Sequence, residues 1–227
     1  MRLLLLLLLA ACTGPEAEPE VPELPAHPSL IAREPERAEI LARLDRAPYD
    51  SIHAQLEALA DEPIEVGTGP WSASIQGHNA SRAEAAAFLA WLHGDEARAG
   101  RAREIFAGIR TDFESRDDWD INIAMPHVLL PLVDAWDLLQ GTPWFPPEEV
   151  ASVAAAIAEI TRQFHRDFVL DDGTRALMLT PAQNNHPIRT AAAIGYVGLA
   201  LWDEPQSASW RDWAFSELAY RWGPGEN

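Results

Sequence analysis

Lysine is missing from this chain altogether: its 17 basic side chains are all arginine, against 35 Asp and Glu. Without lysine there is no amine for a Schiff base and no P-loop to grip nucleotide phosphates. The formal net charge of −18 disfavours nucleic acid and anionic membrane surfaces as partners, because phosphate contacts need basic clusters. It argues mildly against a polyanionic substrate too, although the field at one site matters more than the sum over the chain. Cysteine occurs once, at Cys12, which excludes an internal disulfide framework and a cysteine zinc site. There is no HExxH, no calcium-loop spacing and no nucleophile elbow, so the sequence calls for no metal and no cofactor. Runs of alternating β-branched residues are absent as well, which argues against strands.

What is present begins with an export signal. Met1-Arg2 is followed by seven leucines and Ala10-Ala11-Cys12, a charged start, a short apolar stretch and small residues at a cleavage point. A permanent span needs about 20 apolar residues, so this stretch is too short to be one. Leu9-Ala10-Ala11-Cys12 resembles the lipobox of bacterial lipoproteins, which implies removal of residues 1–11 and acylation of Cys12. An ordinary signal peptide with a chance cysteine is the alternative. Residues 12–28, rich in Pro, Glu and Ala, have little to bury and read as an extended tether. The expected location is outside the cytoplasm, lipid-anchored to a bacterial membrane. Thr13 after the cysteine lacks the Asp that signals inner-membrane retention in enterobacterial lipoproteins, which leans towards the outer membrane.

Residues 29–227 read as one all-α domain. Helical periodicity recurs throughout. Ser29 is expected to cap a helix over 30–46, and Pro48 to open a second with Ile52, Leu56 and Leu59 on one face. A loop over 62–79 carries Trp71. Ser81 with Glu84 has capping-box spacing for a helix that Gly94 stops near His93. Asp95 starts its antiparallel partner, running to about Phe113. Further hairpins are expected over 120–139 with 147–169, and over 187–202 with 205–222. Hairpins in series imply stacked antiparallel helical pairs forming part of an α/α toroid. No fixed-period repeat of the tetratricopeptide kind is visible.

The densest chemistry lies at Gln183-Asn184-Asn185-His186-Pro187-Ile188-Arg189, ahead of an Ala- and Gly-rich helix. Pro187 suits a first helical position, with Asn185 or His186 at the cap. Gly195 and Gly198 each weaken a helix by about 1 kcal/mol relative to Ala, which close approach of neighbouring helices would offset. A helix N-terminus favours anions through free N–H groups and the macrodipole, and Arg189 adds fixed charge. Gln183, Asn184, Asn185, His186 and Arg189 therefore form a candidate carboxylate seat. Simple capping by Asn is the competing explanation.

That segment is similar to the Asn-His region of alginate lyases and heparinase II/III-like lyases. The likeness extends, more diffusely, to His27-Pro28-Ser29-Leu30, to residues 87–97 and to Leu132-Val133-Asp134-Ala135-Trp136-Asp137. The resemblance implies β-elimination on a uronic-acid polysaccharide or oligosaccharide. Asn185 and His186, in the matching positions, would neutralise the uronate carboxylate and stabilise an enolate-like transition state. A tyrosine, which in that family lies after the Asn-His segment, would move the proton. Here Tyr49, Tyr196 and Tyr220 do not match that position, with Tyr196 reading as core, and no β-sandwich follows. The chain is thus expected to be the front portion of such an enzyme, short of its full catalytic set.

Other candidates are weaker. His127 would face the cleft of a toroid, against the alternative of a structural histidine. Trp71 and Trp119, in or near loops, are candidate sugar platforms, whereas Trp91, Trp136 and Trp202 fall on apolar faces and read as core. Asp117-Asp118 and Asp171-Asp172 are adjacent, whereas a glycosidase pair must face across a bond about 5 to 9.5 Å apart. Two other functions stay open: a non-catalytic surface lipoprotein binding glycans or proteins, and an α/α-barrel glycoside hydrolase.

Overall fold

The computed structural model describes residues 26–67, 69, 71–112, 119–169 and 185–222, with backbone alone at 119–123, 167–169, 185–187 and 220–222. All regular elements among them are helical: a 3-10 turn Glu34–Glu36, then α1 Arg37–Leu41, α2 Tyr49–Asp61, α3 Ala73–His93, α4 Glu96–Ala107, α5 Trp119–Gln140, α6 Pro147–Val169, α7 Asn185–Ala200 and α8 Ser207–Trp222. The all-α expectation holds, and so do the three hairpins, α3 with α4, α5 with α6 and α7 with α8.

The hairpins stack with their first helices parallel. Gly77 of α3 lies against the backbone of His127 in α5, Glu84 against the charge of Asp134, and Trp91 against Gly141 just past the end of α5. Each step is seven residues further along both chains. The same register carries on to α7, where Arg189 meets His127 and Tyr196 meets Asp134, both 62 residues apart in sequence. Contacts that advance together on both partners require parallel axes. A seven-residue step returns to nearly the same face, so α3, α5 and α7 meet in layers about 10 Å apart at 1.5 Å rise per residue. The second helix of each hairpin necessarily runs back the other way.

Small residues let α3 and α5 approach closely. Ala80, Ala83, Ala86, Ala87 and Ala90 of α3 are all buried beside Leu89 and Trp91, and Met125, Leu129 and Leu132 are buried on α5, the helix α3 packs against most extensively. The carbonyl of His127 receives no helical hydrogen bond, because residue 131 is proline and has no N–H. A Cβ on Gly77 would sit 3.6 Å from that oxygen, so α3 packs directly onto the bare carbonyl. The close approach anticipated for the glycines of α7 is also present. A Cβ on Gly195 would lie 2.7 Å from the Ala214 methyl, and one on Gly198 would lie 2.9 Å from the Ser207 carbonyl oxygen.

Two helix starts near the N-terminal side of the array differ from expectation. The helix anticipated over 30–46 shrinks to the 3-10 turn and α1. Ser29 does not cap it. The Ser29 and Leu30 amides instead donate to Asp137 Oδ2 at 2.8 and 2.9 Å, and His27 Nδ1 bonds the other carboxylate oxygen. The entering chain is thus clasped to a fully buried carboxylate on α5. The second difference is that α3 begins at Ala73, capped by Ser72, whose hydroxyl accepts from the Ile75 amide at 3.4 Å. Ser81 and Glu84 lie inside the helix. Tertiary bonds support these extra turns: Asn79 donates to the Glu65 carbonyl at 2.8 Å, and buried Arg82 pairs with Glu62 and Glu65. At the far end Gly94 adopts φ 68°, a left-handed C-cap conformation that glycine tolerates best. Asp95 then caps α4 by accepting from Ala97 and Arg98. That helix ends at Ala107 rather than near Phe113.

Candidate functional site

Because α3, α5 and α7 are parallel, their N-terminal ends gather at one end of the array. Helix dipoles add a partial positive charge at such ends, and three of them point the same way. At this end α7 opens at Asn185, two residues earlier than the sequence suggests. Pro187 is consequently the third helical residue, where its missing N–H is still one of the four without an intrahelical partner. Asn185 and His186 form the first turn; their side chains, like the whole of Gln183 and Asn184, lie outside the described residues.

One turn further, Arg189 reaches across to α5. Its Nη2 lies 2.8 Å from His127 Nε2 and 3.2 Å from Nδ1, so the guanidinium sits against the ring between its two nitrogens. Partial burial and the Arg189 charge hold the His127 pKa below its ordinary value, leaving a neutral ring at neutral pH. The neutral ring brings no negative charge to Arg189. Other arginines of this acidic chain are neutralised: Arg82 by Glu62 and Glu65, Arg98 by Asp61, Arg103 by Glu149 and Arg162 by Glu204. Among the described residues Arg189 faces an imidazole instead. His127 itself is exposed to solvent.

The two candidate tryptophans share this end. Trp71 precedes the cap of α3 by one residue, but its indole N–H donates to the Arg110 carbonyl at 3.1 Å and its ring packs partly buried against the core. Only its outer surface is offered to a ligand. Trp119 opens α5, and its side chain lies outside the described residues, as do Asp117-Asp118, Asp171-Asp172 and all of Cys12. Trp91 and Trp136 are buried as expected. Trp202 is half-buried, with the Arg211 guanidinium 3.7 Å above its ring centroid.

Sequence reasoning missed the layer below. One heptad from the Arg189–His127 pair, the Tyr196 hydroxyl donates to Asp134 Oδ1 at 2.5 Å. Burial raises the Asp134 carboxyl to about 6, against the lowering effect of that hydrogen bond and with a further push from Asp137. Glu84 is pushed up to about 7, by burial first and then by Asp134. Burial and the same carboxylates drive the Tyr196 phenol upward, so it stays a donor. Tyr196 is accordingly a polar partner rather than plain core. The available sequence signal was the seven-residue spacing of Asp134 from His127 and of Tyr196 from Arg189 on helices paired in parallel; Glu84 read alone suggests only a cap.

Chemically, the upper layer offers a cation and a neutral base, with N–H groups that lack intrahelical partners one turn above at the start of α7, a set suited to an oxyanion or carboxylate. The lower layer offers protonatable carboxyls and a phenol. Among the described residues no helix is long and apolar enough to cross a membrane. A scan against protein-family models finds no match for the chain, and a search of curated proteins finds none either.

Proposed function

We propose that this chain is the helical front portion of a polysaccharide lyase, and that the end of the array carrying Arg189 and His127 binds the carboxylate of a uronic acid. The observation that carries this reading is the Arg189–His127 contact, one turn below the start of α7 at Asn185-His186. It supplies a positive charge with no carboxylate partner among the described residues, one turn inside the N-terminus of α7. In β-elimination the carbon acid becomes removable when the adjacent carboxylate is neutralised. Asn185 and His186 would hydrogen-bond that carboxylate, Arg189 would balance its charge, and neutral His127 would hold the guanidinium in place. Acylation at Cys12, with residues 12–28 as a tether, would hold the domain outside the cytoplasm against a bacterial membrane.

The test is to incubate the full-length gene product with alginate and with heparin-type glycans and follow the ultraviolet absorbance of unsaturated uronate. Wild type is expected to generate it, and His186→Ala to abolish it. Equal rates in both would remove His186 from the mechanism. Hydrolysis products without a double bond would replace the lyase by a glycoside hydrolase.

A further inference from the structure

At the opposite end of α3 from the proposed sugar site, two histidines face each other across a helix pair. His53 stands on α2 and His93 is the last residue of α3. Their Nε2 atoms are 2.8 Å apart, with ring centroids 5.0 Å apart and planes at 74°. One proton can occupy that gap; a lone pair must fill the other side of it. Glu57, one turn along α2, brings a carboxylate oxygen to 3.8 Å from His53 Nδ1. A carboxylate there favours the tautomer with the proton on Nδ1, which leaves Nε2 bare, the same orienting role that carboxylates play behind metal-bound histidines. His93 is exposed, and a shallow hollow lined by His93, Gly94, Asp95, Glu96 and Ala97 opens beside it.

We propose that His53 and His93 form a two-imidazole site for a borderline-soft divalent cation of the zinc, nickel or copper class. The cation takes the place of the proton between the two Nε2 atoms, and the His93 ring proton moves to Nδ1. Around a tetrahedral ion the two nitrogens, each about 2.0–2.1 Å from it, stand about 3.3–3.4 Å apart, so the rings open by roughly half an ångström from their 2.8 Å separation and turn their lone pairs toward the ion. Water in the adjoining hollow completes the coordination, since among the described residues no third His, Cys, Asp or Glu joins the pair as a ligand group. Two nitrogens and water select against magnesium and calcium, which demand oxygen ligands.

Calorimetric titration of the full chain with zinc chloride, and separately with magnesium chloride, tests this. One equivalent of zinc is expected to bind, with no matching magnesium heat. His53→Ala and His93→Ala should each weaken zinc binding at least tenfold, and Glu57→Gln about tenfold through the orienting carboxylate. His78→Ala, at an exposed histidine elsewhere, should leave the affinity unchanged. Far-ultraviolet circular dichroism of each variant establishes that the helices are retained. Absence of zinc binding in wild type, or equal binding by the His53→Ala/His93→Ala double variant, would overturn the proposal.

Discussion

The upper and lower layers of the array are built from the same three helices in the same register, yet they are electrostatic opposites. Seven residues separate Arg189 from Tyr196 and His127 from Asp134. The upper layer leaves a cation without an anionic partner among the described residues, next to solvent and about one turn inside the N-termini of α3 and α7. The lower layer buries acids, with Asp134 only 8% exposed, and relieves their repulsion by protonation and the Tyr196 hydroxyl. The lesson is that the scaffold does not dictate the chemistry of a layer; depth along the helices does. Near the open end a charge can wait for a ligand, whereas further in every charge must be paired or neutralised.

The largest expected effect lies one helical turn beyond the lower layer. Asp137→Ala removes the acceptor for His27 and for the Ser29 and Leu30 amides. Leaving such groups unpaired should cost about 3 kcal/mol or more, read as a fall in the urea midpoint. A substitution in the upper layer, by contrast, should leave the midpoint nearly unchanged.

Next comes the pH response of the lower layer. A carboxyl whose folded pKa is raised stabilises the fold below its unfolded pKa, and this contribution is lost as pH rises through the folded value. For Glu84 the window runs from the ordinary 4.5 to about 7. Unfolding free energy should therefore fall between pH 4.5 and about 7, by on the order of 2 kcal/mol after allowance for screening of its partly exposed carboxyl. Glu84→Gln should flatten this slope; an unchanged slope would relocate its origin.

Smaller differences separate two helical glycines. Gly198→Ala presses a methyl to 2.9 Å from the Ser207 carbonyl oxygen, whereas a Cβ on Gly77 meets the His127 carbonyl at an ordinary 3.6 Å. Gly198→Ala should destabilise by about 1–3 kcal/mol. Gly77→Ala should be neutral or stabilise by roughly 0.5–1 kcal/mol through helix propensity. Thermal unfolding of the pair distinguishes a forced close approach from a tolerated one.

Local signals made much of this fold legible. Gly94, Asp95 and Pro147 mark helix boundaries through their own backbone chemistry, and the structure has them where the sequence suggests. The errors arose where tertiary contacts outweigh local preference. Ser29 has cap chemistry, but Asp137, 108 residues away, takes its amide. The stretch before Ser81 contains Gly77 and reads as loop, yet α5 packs onto that glycine and makes helix there worthwhile. The candidate site was partly visible: Arg189 and His127 were each singled out, but their meeting depends on parallel pairing that no local pattern reveals. The acids of the lower layer are invisible in sequence for the same reason, since Glu84 and Asp134 are raised first by burial between packed helices, Glu84 further by Asp134 and Asp134 further by Asp137.

The proposed carboxylate site of the upper layer rests on the charge of Arg189. The most direct measurement is the affinity of wild type and Arg189→Gln for a uronate oligosaccharide and for its carboxyl-reduced neutral counterpart. Wild type should prefer the acid, and Arg189→Gln should lose at least tenfold for the acid, about 1.4 kcal/mol, while affinity for the neutral sugar stays the same. Equal affinity of wild type for both sugars, or an equal loss for both in the variant, would contradict the account.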